Sequence, residues 1–158
     1  MTKECIQDFT QRVAAANKTE MVVVLYDISI VYIKDAIASI EGADFKGART
    51  EIGKIRNTIK ELMDSLDTST EIGHNLLKLY IFCSGELTKA FLDYDKGCLY
   101  HVESILSKLR DAYREVAKQD TSGPVMEHKE TVYNGFTYGR NSQVNNVSNK
   151  ELNRGILI

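Results

Sequence analysis

Residues 17–42, NKTEMVVVLYDISIVYIKDAIASIEG, decide the fold. Asn17 and Glu20 have capping-box spacing, and Gly42 is a stop signal, so the stretch predicts one long helix. On a wheel at 100° per residue, Glu20, Asp27, Lys34 and Glu41 form a narrow polar seam. Opposite it lie two adjoining apolar stripes. One is Met21, Leu25, Ile28, Tyr32 and Ala36; the other is Val22, Tyr26, Ile30, Ile33, Ile37 and Ile40. Together they span roughly 200°, where a core-facing helix usually shows a stripe somewhat above 100°. Val23, Val24 and Val31 crowd the seam itself. Two readings account for the surplus: a helix enclosed by its neighbours, or a binding groove beside the core.

Three more amphipathic segments follow. Asp44 caps a helix whose stripe is Phe45, Ala48, Ile52, Ile55, Ile59, Leu62 and Leu66. Thr68 and Glu71 read as a second capping box, opening a helix with Ile72, Leu76, Tyr80, Cys83, Leu87, Ala90 and Phe91 on one side. Leu79 and Phe82 widen that stripe, so the apolar excess recurs there. Asp95-Lys96-Gly97 makes the next joint, and Leu99, Val102, Ile105, Leu106, Leu109, Tyr113 and Val116 mark a helix that fades before TSGP. Pro124 is the only proline, which leaves the residues before it free for long unbroken helices. Short joints make consecutive helices antiparallel. The expected fold is therefore all-α: an antiparallel up-down four-helix bundle over residues 17–120, with an N-terminal arm (1–16) and a C-terminal extension (121–158). Gly53, Gly73 and Gly85 fall inside predicted helices and read as tolerated glycines rather than marks of close backbone approach.

The extension has a different texture. ETVYNGFTYG predicts a hairpin turning at Asn134-Gly135, and VSNKELNRG a short helix capped by Ser148 and Glu151. Neither has a core of its own. Val132, Tyr133, Phe136, Tyr138, Leu152 and Ile156 supply apolar anchors with which the extension can occupy an empty groove as a placeholder.

Composition excludes several classes of function. The formal charge of −2 is mixed in sign, so no nucleic-acid partner is expected. The most apolar run is cut by Asp27 and Lys34 and is too short to span a bilayer, so no membrane insertion is expected. The start, MTKECIQDFTQRV, has no apolar run behind a basic end, so no secretory signal is expected. Cys5, Cys83 and Cys98 are irregularly spaced, fit neither a disulfide framework nor a zinc site, and read as reduced thiols in a cytoplasmic protein. Glu71 and His74 have the spacing used by di-iron bundles, but those need it twice, with further glutamates. No metal, no cofactor and no catalytic residue is expected, and His101 reads as a boundary histidine. Two over-apolar helices in one small bundle favour an interaction groove suited to an amphipathic partner helix. A metal-dependent bundle enzyme and a generic helical adaptor are the alternative classes.

Several pieces then occur in a specific order. They are Glu20, Leu25-Tyr26-Asp27 and Ala36-Ile37; Glu61-Leu62 and Leu66-Asp67; Asn75-Leu76, Leu79-Tyr80, Leu87 and Ala90; and Leu106, Leu109-Arg110-Asp111-Ala112 and Tyr113. In order and spacing, from about residue 13 to 117, the chain resembles the flagellin-specific secretion chaperone family, FliS. That resemblance implies a cytosolic antiparallel helical bundle without enzymatic activity. Such a protein holds the C-terminal segment of flagellin in apolar grooves, blocks premature polymerisation and delivers flagellin to the flagellar type III export apparatus. Tyr26, Ile30, Ile33, Tyr80, Leu87, Leu109 and Tyr113 are the expected groove residues, with core packing as the competing role for each. In some members of the family the N-terminal arm covers the empty client site, which makes Ile6 and Phe9 the gate residues here. The chain departs from the family pattern with Asn17-Lys18 in place of Ser-Pro, Ile28 in place of Gly, and Tyr113 in place of Trp.

Overall fold

The computed structural model describes residues 1–126, and all regular structure among them is helical. The hairpin expected at Asn134-Gly135 and the helix expected from Ser148 lie outside the described residues. Five helices follow in order: α1 (Lys3–Ala15), α2 (Lys18–Glu41), α3 (Phe45–Asp64), α4 (Glu71–Asp93) and α5 (Lys96–Ala117). α2 packs against α3, α5 and α1, and α4 packs against α3 and α5. The surplus apolar surface of residues 17–42 is thus covered from three directions.

The third cover, α1, is the element that sequence periodicity misses. Its start is set by Thr2, whose side chain accepts a hydrogen bond from the Cys5 amide. Within α1 only Phe9 is buried. A free helix of this length is marginal in water, so α1 depends on its few anchors. Besides Phe9 these are ionic: the Met1 amino group lies 2.6 Å from Asp35, and Arg12 reaches Asp27 at 2.6 Å.

Asp27 belongs to the polar seam but does not face water. It is buried and surrounded by Arg12 of α1 at 2.6 Å, Arg114 at 3.1 Å and Arg110 at 3.6 Å, the last two from α5. One carboxylate therefore joins three helices. Removing it would leave guanidinium groups crowded without a counter-charge, which is the costly way to break such a cluster.

Most caps follow the sequence. Asn17 and Glu20 form the reciprocal capping box of α2, Asp44 caps α3 and Asp95 caps α5. Two expectations need correction. α4 is capped by Thr70, whose side chain accepts from the Gly73 amide, and not by Thr68. Gly73 is a close-approach glycine: a Cβ there would lie 1.9 Å from the Asp67 carbonyl oxygen. The α3–α4 joint folds back against the first turn of α4, and only a residue without a side chain leaves room. Gly53 and Gly85 face open space.

The core lies among α2, α3, α4 and α5. α3 contributes Ala48, Ile52, Ile55, Ile59 and Leu62, all buried. α2 and α4 are joined through the core by a hydrogen bond between the Tyr26 and Tyr80 hydroxyls. Burial raises the pKa of both phenols, that of Tyr80 to about 12, so both stay neutral and each can donate. Tyr113 of α5 meets Tyr26 edge-on, with ring centroids 5.7 Å apart.

Candidate functional site

α4 carries more apolar side chains than the core takes up. Leu76, Tyr80, Cys83, Leu87 and Ala90 point inward, whereas Ile72, Leu79, Ile81, Phe82 and Leu92 are exposed. Helical spacing places Asn75, Leu79, Phe82 and Glu86 in one row along α4. On α5 the corresponding row is His101, Ile105, Leu109, Ala112 and Val116. The rows flank the same seam, because Glu86 Oε2 lies 2.7 Å from His101 Nδ1. Along this seam Leu79, Phe82 and Val116 are exposed, and Ile105 and Leu109 are half-buried against the core. Lys89 first, and then His101, hold the Glu86 carboxyl down at about 2. One end of the seam is thus marked by a fixed charge, and the rest is apolar.

The seam leads to an apolar pocket of about 310 Å³. Its lining includes Met21 and Leu25 of α2, Leu66 of the α3–α4 joint, Ile72 and Tyr80 of α4, and Tyr113 of α5. A second apolar groove, of about 760 Å³, runs beneath α1, between Ile6, Phe9 and Val13 on one side and Ile28 and Tyr32 of α2 on the other.

A short segment after α5 touches both. Asp120 accepts hydrogen bonds from the Thr19 hydroxyl at 2.5 Å and, through its backbone carbonyl, from the Asn17 side-chain amide at 3.3 Å. Contacts from Ser122 and then Thr19 lower the Asp120 pKa to about 2. The Val125 amide donates to the Ala16 carbonyl at 2.9 Å. Val125 lines the end pocket and Met126 lines the α1 groove.

Cys83 and Cys98 are buried, and burial lifts each thiol to about 11. Glu71 and His74 are both exposed. Among the described residues no group of three or more His, Cys, Asp or Glu side chains is placed to hold a metal ion, and no described helix is long and apolar enough to cross a membrane. The surfaces are suited to holding apolar side chains.

The model of the family described as Flagellar protein FliS matches residues 1–120. The chain belongs to that family. The flagellar secretion chaperone FliS of Bacillus subtilis (strain 168) is 26% identical over 108 residues, covering 68% of this chain and 81% of that protein. A solved structure described as a flagellar chaperone from bacteria superposes with a TM-score of 0.62 at 16% identity, over 74% of this chain and 98% of that one. That likeness concerns the fold.

The structure sorts the expected groove residues of this FliS-family chain by depth. Tyr26, Ile30, Ile33 and Leu87 are buried in the core and line neither the end pocket nor the α1 groove. Tyr80 is buried too, but one edge of it lines the end pocket, beside Tyr113. Leu109 and Tyr113 are half-buried. Ile6 is exposed and Phe9 buried, both lining the groove beneath α1. Ile72, Leu79, Phe82 and Val116 were not singled out as site residues by sequence reasoning. Leu79 and Phe82 show in the sequence as the widening of the α4 stripe, and Ile72 and Val116 as members of the α4 and α5 stripes, but a wheel shows angle and not depth.

Proposed function

We propose that this chain is an export chaperone that binds the C-terminal segment of flagellin along the α4–α5 seam and into the end pocket. It keeps that segment from polymerising in the cytoplasm and hands it to the flagellar type III export apparatus. The observation that carries this reading is the run of Leu79, Phe82 and Val116, exposed on a chain of the FliS family. Large apolar surface on a small protein usually serves an interaction. A client that orders only on binding needs an extended apolar track to offset its lost entropy. In this reading Leu109 and Tyr113 touch the client, Tyr80 forms the floor of the end pocket, and Tyr26, Ile30, Ile33 and Leu87 support that floor from below. α1, with Ile6 and Phe9, acts as a gate over the groove beneath it on α2 rather than over the seam, since few anchors hold it. We further propose that α2–α5 run up and down as an antiparallel bundle spanning residues 17–120. The end pocket supports this, because it gathers the first turns of α2 and α4 with the end of α3 and the last turns of α5. Paired spin labels at Lys46 and Asp93 should then lie close together, and a separation near the ~30 Å length of α3 would count against it.

The reading is tested by titrating a flagellin C-terminal peptide into the purified protein in a calorimeter. Saturable binding with a negative heat-capacity change is expected, as for burial of apolar surface. Absence of binding, together with capture of an unrelated helical partner from the native cell, would favour a generic helical adaptor.

A further inference from the structure

We propose that the groove beneath α1 is a receptor for this chain's own C-terminal segment, the residues that follow Met126, and that the segment locks α1 in place. The inference goes beyond the client reading and does not depend on it.

Three observations carry it. First, the path into the groove is already built. The Val125 amide is bonded to the Ala16 carbonyl, at the joint between α1 and α2, and the next residue, Met126, sits in the groove with Phe9, Val13 and Ile28. The chain therefore enters at the C-terminal end of α1. Second, length and spacing match. α1 has 13 residues, or ~20 Å of helix. Six residues cover ~20 Å when extended, so the residues that follow Met126 are long enough to pass Ile6 and reach Met1, with Val132 and Tyr133 the apolar side chains at that distance along the chain. Third, α1 lacks cover on this side: Ile6 is 51% exposed although it lines the groove. The family match ends at residue 120, so this occupant comes from the part of the chain that the family pattern does not describe. A tethered segment competes at an effective concentration of about the millimolar range, ahead of a second copy or a free peptide at cellular dilution.

The consequence is a lock on α1. α1 itself buries only Phe9, so a segment seated against Ile6 and Phe9 adds to the contacts that must break before α1 can move. The sequence-based placeholder idea is thereby narrowed: the segment occupies the α1 groove rather than the α4–α5 seam.

A photo-crosslinking residue placed at Thr10, which lines the groove, tests this in the full chain without any client. Crosslinks within the monomer to peptides from 127–158 are expected. Crosslinks only between two copies, or none to 127–158, would overturn the proposal. In parallel, the chain ended after Met126 should show at least tenfold faster deuterium exchange in α1, with α3 unchanged. Unchanged exchange in α1 would overturn the lock.

Discussion

α3 and α4 are packed neighbours of similar length, and they use their apolar residues differently. α3 buries its whole stripe from Ala48 to Leu62 and leaves only Phe45, at its first turn, exposed among its large apolar side chains. α4 buries an equally regular stripe and then exposes Ile72, Leu79, Ile81, Phe82 and Leu92 as well. The first helix is complete as a core element. The second has apolar side chains that the fold does not need. Stability and binding should therefore separate cleanly between them.

The comparison can be broken at several depths. The largest effect belongs to the buried layer that both helices pack on: Ile33→Asp places a charge where no partner exists, and should cost on the order of 3–5 kcal/mol, enough to unfold much of the protein by circular dichroism. Ile55→Ala in α3 should cost about 2–5 kcal/mol in urea denaturation, whereas Phe82→Ser in α4 should stay within about 0.5 kcal/mol of wild type. Equal losses for those two would erase the distinction. Gly73→Ala at the α3–α4 joint should cost about 1–3 kcal/mol, because the Asp67 carbonyl must move; a neutral result would restore the tolerated-glycine reading. The smallest effect is in pH. Glu86 is depressed in the folded state to about 2, so its contribution is present above its ordinary value of 4.5 and is lost as pH falls towards 2. Glu86→Gln should lower the melting temperature above pH 4.5 and flatten the acid limb of the profile, so that the two curves converge as pH falls towards 2.

Much of this was legible in the sequence, for physical reasons. The capping box at Asn17 and the stripe of α3 depend on neighbours three and four residues apart, and such local patterns survive in one dimension. The cap at Thr70 was misplaced because Thr68 and Thr70 both precede the same apolar run, and only the folded joint chooses between them. α1 was read as an arm because it buries a single large side chain, too little to show as a stripe. Asp27 looked like a wet seam residue, and its partners Arg12, Arg110 and Arg114 come from helices distant in sequence. Of the expected groove residues, Leu109 and Tyr113 are half-buried on α5, while Tyr26 and Ile33 are fully buried in the core, a difference in depth that the stripes do not show. Periodicity finds the direction of a side chain, and depth depends on which helix lies next to it.

The most direct test of the central claim, that the apolar surface left over on α4 is where flagellin binds, is calorimetric. Leu79→Asp and Phe82→Asp, combined, should leave the melting temperature near wild type and weaken binding of the flagellin C-terminal peptide at least 100-fold, about 2.7 kcal/mol. Wild-type affinity in that folded double variant would place the client elsewhere and contradict the account.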